Sequence, residues 1–262
     1  MKMSKGSSEA KSRTKRYKGA LHIHSNLSRD GTLSIAELAQ WYSSKGYQFL
    51  ALTEHAEDMD RGKIETLVTD CARYSSENFC LIPGLEFACT PRLHIPAIGV
   101  VELIVEKEPV LVVEKIHENN GFAVLAHPRR LGWECPSDIL KVVDAAEIWN
   151  VTSDGKFLPA PQALDAYRKM SEVNPKLLAI TAHDFHRKEG YYDLALHVDL
   201  HSLGREAILE ALKKGNYSIC SRFFKMDAHG ELLKPGKATL VFMSSRLRAL
   251  RTARATIMQW LS

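Results

Sequence analysis

The sequence predicts an α/β fold, a mainly parallel sheet covered by helices and either open or closed into a barrel. Three observations carry that expectation. Short apolar runs alternate with amphipathic stretches along most of the chain, the order expected of strand–helix units. Histidines and carboxylates recur at the ends of the apolar runs, the edge at which such sheets build their sites. A composition of 45% hydrophobic and 25% charged residues is that of an ordinary globular domain.

The elements can be justified in order. Candidate strands fall at 19–24, 48–53, 79–82, 94–101, 122–126, 145–149, 177–181 and 195–200. Between them, Ile35, Leu38, Ala39 and Tyr42 repeat at helical spacing behind Ser34 and Glu37, which form a capping-box signature. Ile64, Leu67, Val68 and Cys71 repeat in the same way. Val112, Val113 and Ile116 lead to Gly121 as a helix stop, and a further helix at 203–214 is closed by Gly215. There is no internal repeat and no interdomain linker, so residues 17–262 are read as a single domain.

The charge is unevenly placed. Residues 1–16 hold six Lys/Arg against one Glu, and residues 222–262 hold eight against two acids. The stretch 17–221 holds 21 bases against 28 acids, so the body is acidic although the net charge is +4. Residues 1–16 have almost no large apolar side chain and are expected to be a disordered basic tail. Arg246, Arg248, Arg251 and Arg254 read as a solvated helix face. Five scattered cysteines without CxxC spacing, no apolar leader and no run of about 18 apolar residues point to a cytoplasmic protein with no membrane partner.

The chemistry resides in nine residues: His22, His24, Asp30, His55, Glu86, His94, His127, Asp184 and His186. Imidazole and carboxylate are ligands for divalent ions, and nine exceed what one tetrahedral ion can use. His22/His24 and Asp184/His186 are two apart, a spacing that puts both side chains on one face of an extended segment. Such a set suits metal-assisted hydrolysis.

Arranged in this order, the residues resemble the PHP (polymerase and histidinol phosphatase) superfamily of metal-dependent phosphoesterases. The segments that carry the resemblance are Lys18-Gly19-Ala20-Leu21-His22-Ile23-His24-Ser25 with Asp30-Gly31, then Leu52-Thr53-Glu54-His55. They are followed by Pro83-Gly84-Leu85-Glu86 with His94 and Ala126-His127-Pro128, and by Thr181-Ala182-His183-Asp184-Phe185-His186. The resemblance covers roughly residues 17–220 and implies a distorted (β/α)7 barrel with a trinuclear cluster in its mouth. It implies that His22, His24, Glu86 and Asp184 hold one ion and that Glu86 bridges to a second held with His94 and His127. Asp30, His55 and His186 would hold a third. The ions would be two or three of Zn, Mn or Fe. The chain departs from the family pattern at Ala20, Glu54 and Ala182-His183, where Asp, Asp and Gly-Ser are common. These departures bear on the groups that orient the histidines.

The expected activity is hydrolysis of a phosphate ester of a small molecule, a nucleotide among the candidates, by a metal-activated hydroxide, with Glu86, Asp184 and His186 as catalytic residues. Arg129 and Arg130, directly after His127-Pro128, would clamp the phosphate, since guanidinium matches phosphate bidentately. His183 is a third candidate for substrate contact, and Glu147 and Asn150 for support of the ligands. The short chain without an appended domain agrees with a small substrate. The rival readings are an exonuclease trimming RNA or DNA ends with the same metals, which needs a basic groove, and a non-catalytic metal-binding scaffold, which would show degenerate ligand positions.

Overall fold

The computed structural model describes residues 14–90, 92–155, 159–160, 162–222 and 224–234. The basic segment 1–13 and the arginine run at 246–254 lie outside the described residues.

The chain opens with β1 (Lys15–Ile23), α1 (Ile35–Ser43), β2 (Phe49–Leu52), β3 (Glu54–His55), α2 (Arg61–Tyr74), β4 (Cys80–Ile82), β5 (Gly84–Ala88) and β6 (His94–Ile98). It continues through α3 (Pro109–Glu118), β7 (Phe122–Leu125), α4 (Ser137–Val142), β8 (Ala145–Asn150), α5 (Val151–Asp154), α6 (Ala163–Val173) and β9 (Leu178–Ala182). The last elements are β10 (Leu194–Leu200), α7 (Arg205–Lys213), β11 (Tyr217–Ser221), β12 (Lys225–Asp227) and β13 (Leu232–Lys234).

No closed barrel forms among the described residues. The strands divide into a sheet ordered β13-β12-β11-β10-β1-β2-β4 and another ordered β3-β5-β6-β7-β8-β9. Nor is the sheet mainly parallel. β1, β2 and β4 are parallel neighbours, as are β7, β8 and β9, but β10 to β13 and the β5-β6-β7 ladder are antiparallel. The chain crosses between the sheets through Thr53 and again through Pro83, because β2 runs into β3 and β4 into β5. At the second crossing Gly84 is required by contact. A Cβ there would lie 2.5 Å from the Ala97 carbonyl oxygen and 2.8 Å from that of Leu52. At the other junction, β9 and β1 share no ladder and are joined by a bridge between Ile23 and Phe185.

Local signals account for much of this. Ser34 and Glu37 form the capping box of α1, whose Ile35, Leu38 and Tyr42 are buried. The all-apolar β2 is buried along its whole length, as expected of a strand covered on both faces. Two expectations change. Lys15 and Arg16 belong to β1, paired with Leu200 and Asp199, and Arg16 donates to both carboxylate oxygens of Asp199 at 2.9 and 2.7 Å. The folded region therefore begins before Tyr17. After α3 the left-handed residue is Asn120 (φ 55°), while Gly121 is needed because a Cβ would meet Val100 at 2.4 Å.

Candidate metal centre

Five histidines surround one buried carboxylate. Glu86 Oε1 lies 3.3 Å from His22 Nε2, 3.1 Å from His94 Nδ1 and 3.4 Å from His127 Nε2. Its Oε2 lies 3.1 Å from His55 Nδ1 and 3.7 Å from His24 Nε2. Asp184 Oδ1 stands 3.6 Å from His22 Nε2 and 3.8 Å from His24 Nε2. Three sets of ligand atoms come within 4.8 Å of one another: His22–His24–Glu86, Glu86–His94–His127 and His24–His55–His186. Asp30 joins the last of these, 3.3 Å from both His55 Nε2 and His186 Nε2.

The chemistry of these atoms fits a cation. His22 Nδ1 is 2.6 Å from Glu147 Oε1, a carboxylate that can only accept, so Nδ1 carries a proton and Nε2 is the atom turned to Glu86. Burial opposes a charge on this imidazole, but Glu86, Glu147 and Asp184 outweigh it and hold it well above its ordinary value. The Nε2 atoms of His22 and His24 are buried and have no hydrogen-bond partner. A buried set of carboxylates and ring nitrogens, some of the latter without a partner, is costly unless positive charge is supplied, by protons or by a metal ion. Burial would raise the Glu86 carboxyl, but His22, His127 and His55 outweigh it and hold the group well below the usual carboxylate range. Burial pushes His24 well below the usual imidazole value, and the neighbouring His22, His186 and His55 add to this, so His24 is held in the neutral form a metal needs.

The backbone is distorted at these ligands. His22 (φ 60°), His127 (φ 33°) and Asp184 (φ 49°) are three of the five non-glycine residues at positive φ among the described residues. Each such conformation costs on the order of 1–3 kcal/mol and persists only where the surroundings enforce it. The register of β1 against β2 shifts between Ala20 and Ile23, around His22. The regular alternation expected of His22/His24 and Asp184/His186 therefore does not hold. The pairs converge because His22 and Asp184 turn left-handed, and because His24, Asp184 and His186 lie beyond the strand ends. Glu86 also departs from expectation, lying inside β5 rather than past the end of a strand.

Buried braces hold the ligands. Glu147, in β8, accepts from the His127 backbone N–H at 2.7 Å and from Asn150 Nδ2 at 2.9 Å while its other oxygen holds His22. Asn150 Nδ2 also reaches Asp184 Oδ2 at 3.3 Å. Both supporting roles expected of Glu147 and Asn150 are thus matched by contacts. Glu54, one of the departures noted in the sequence, turns away from the candidate ligands. It accepts from the Ser25 N–H and the Ser28 hydroxyl, and Ser28 Oγ accepts the His55 N–H. The Ser25–Ser28 brace was not legible beforehand. The available signal was a carboxylate, Glu54, two residues past the apolar β2 and next to His55.

The substrate candidates separate. Arg130 Nη2 lies 3.8 Å from Asp184 Oδ2, at the edge of the ligand cluster. Arg129 is drawn towards α5, donating to the Ser153 carbonyl at 2.8 Å and lying 3.8 Å from Asp154. His183 has no access to a substrate. It is buried between the Tyr42 hydroxyl and the Leu194 carbonyl, and burial pushes its imidazole down to about 4.

No family model matches the chain. Over 205 residues, 68% of this chain, it is 26% identical to the DNA polymerase/3'-5' exonuclease PolX of Bacillus subtilis (strain 168). A solved two-domain protein from Bacteroides vulgatus ATCC 8482, containing a predicted PHP-like metal-dependent phosphoesterase, superposes with a TM-score of 0.56 at 19% identity over 81% of this chain. The chain shares its fold with that PHP-like protein. The chain spans 35% of the length of the polymerase relative and 66% of the solved PHP-like protein. No helix among the described residues of this PHP-like fold is long and apolar enough to cross a membrane.

Proposed function

We propose that the protein is a metal-dependent phosphoesterase that hydrolyses a phosphate ester of a small molecule such as a nucleotide. The observation that carries the reading is the buried Glu86 carboxylate ringed by His22, His24, His55, His94 and His127. His22, His24, Glu86 and Asp184 would hold one divalent ion, Glu86, His94 and His127 a second, and Asp30, His55 and His186 a third. Zn, Mn and Fe all suit these ligands. Bound ions would supply positive charge to the phosphoryl oxygens and lower the pKa of water from about 15.7 towards about 7.

The side chains do the rest. Glu86, with one oxygen towards His94 and His127 and the other towards His55 and His24, keeps two ligand groups at one separation. Glu147 fixes the His22 tautomer and the His127 backbone, so the imidazoles need no reorganisation when substrate arrives. Arg130, only 3.8 Å from Asp184, is placed to exchange that ion pair for a substrate phosphate. Arg129 would act beside it only by leaving Ser153.

The deciding experiment is a screen of metal-loaded protein against phosphomonoesters and short oligonucleotides, before and after chelation. Turnover of monoesters that chelator abolishes is expected. No hydrolysis of any ester by protein carrying its full complement of metal would remove the reading. A second reading, trimming of nucleic-acid ends, is favoured by the similarity to a 3'-5' exonuclease. Preference for oligonucleotides over every monoester would select it.

A further inference from the structure

His183 stands where the last motif departs from the family's common Gly-Ser, and nothing in the hydrolysis proposed above uses it. Its ring is nonetheless fixed on both sides. Nε2 lies 2.5 Å from the Leu194 carbonyl oxygen, which can only accept, so Nε2 carries the proton. Nδ1 is thereby the acceptor for the Tyr42 hydroxyl at 2.8 Å. One imidazole thus ties α1 to β10.

The backbone of the same residue lies at the junction where the two sheets share no ladder. The His183 N–H donates to the Leu21 carbonyl at 3.0 Å, Phe185 N–H to His22 at 3.2 Å, and His24 N–H to Phe185 at 2.9 Å. These bonds sew the end of β9 to the end of β1. Within the seam, Asp184 and His22 face each other, both in left-handed conformations that isolated residues disfavour. Tyr42 packs edge-on against Phe185, with ring centroids 5.5 Å apart, so both flanks of Asp184 are held by the same tyrosine.

We infer that His183 and Tyr42 form a positioning pair that locks the β9–β1 seam and so sets Asp184 against His22 and His24 for a divalent ion. The role of the ion rests on the metal-dependent reading above; the locking of the seam does not.

The test is Mn2+ titration of the metal-free full-length chain, with melting temperature measured alongside. Tyr42→Phe keeps the ring and removes the hydroxyl, and Mn2+ binding is expected to weaken about tenfold, the lower end for loss of a group that orients a ligand. Tyr47→Phe is the matched control. Its ring packs edge-on against His183 and is kept by the substitution, while its hydroxyl donates to the Leu194 carbonyl at 2.9 Å and makes no hydrogen bond to the imidazole, so Mn2+ binding should stay within about twofold of wild type. If both variants melt earlier and both bind Mn2+ as wild type does, His183 is packing alone and the inference is overturned. Should Tyr42→Phe not fold, His183→Asn replaces it, with weakened Mn2+ binding expected and unchanged binding overturning the inference. Wild-type protein that takes up no Mn2+ would remove the metal reading instead. The seam is then judged by hydrogen exchange of the His183 and Phe185 amides, expected to quicken in Tyr42→Phe but not in Tyr47→Phe; equal exchange in both would sink it.

Discussion

The inner and outer parts of the ligand cluster use the same residue types under different constraints. Beside Glu86 the side chains of His22, His24, His127 and Asp184 are at most 4% exposed, and three of the four sit at positive φ. Glu147 and Asn150 brace His22, His127 and Asp184, while His94 at the rim is 15% exposed. Around Asp30 the side chains of His55, His186 and Asp30 itself are 12%, 19% and 45% exposed. The inner group cannot relax into water, so its geometry is enforced by buried hydrogen bonds. The outer group can hydrate. An ion held by His22, His24, Glu86 and Asp184 is accordingly expected to be held tightly and an ion at Asp30 to exchange.

The largest expected effect comes from Glu86→Ala, which removes the carboxylate common to two ligand groups. Hydrolysis should fall to background and the metal count measured by elemental analysis should drop by more than one ion. Wild-type turnover in this variant would discard the central assignment. Glu147→Ala should come next, with metal affinity lowered about 10–100-fold because His22 and His127 lose their brace. Asp30→Asn should cost less than Glu147→Ala and release a single ion. If the order of these two is reversed, the contrast between a rigid inner and a yielding outer group is wrong.

A pH experiment sharpens the comparison at the seam beside the inner group. His183 stays neutral in the fold down to about 4, against an ordinary value of 6.5. Between these values the unfolded chain binds a proton that the folded chain does not, so this contribution to stability is complete above about 6.5 and is lost as pH falls towards 4. The melting temperature of metal-free protein should therefore drop more steeply over that window in wild type than in His183→Asn. Parallel profiles would show that His183 does not titrate this way. The smallest effect belongs to the edge of β1. Removing residues 1–13 should leave monoester hydrolysis unchanged, whereas Arg16→Ala should cost less than about 1 kcal/mol in a denaturant titration, as exposed ion pairs do. A chain that loses monoester hydrolysis on losing 1–13 would place that segment in the site.

The nine candidate ligands stood out in the sequence because metal chemistry restricts residue type, and the capping box at Ser34 because it is a local signal. The supporting contacts were legible only in part. Glu147 and Asn150 stood out as polar residues within and at the end of the apolar run of β8, but the partner of His183 did not, since Tyr42 is 141 positions away in sequence. Of the antiparallel β10 to β13, β10 was visible as the run at 195–200, whereas β11, β12 and β13, five residues long or shorter, lack a long apolar run.

By itself the sequence determined the residue types, their order and the local stops and caps, all of which act within a few residues. The division into two sheets, the left-handed turns at His22, His127 and Asp184, and the side of Glu54 that faces the serines were decided by tertiary structure. Those states are locally disfavoured or locally neutral, and only packing across the seam and buried hydrogen bonds from distant residues select them.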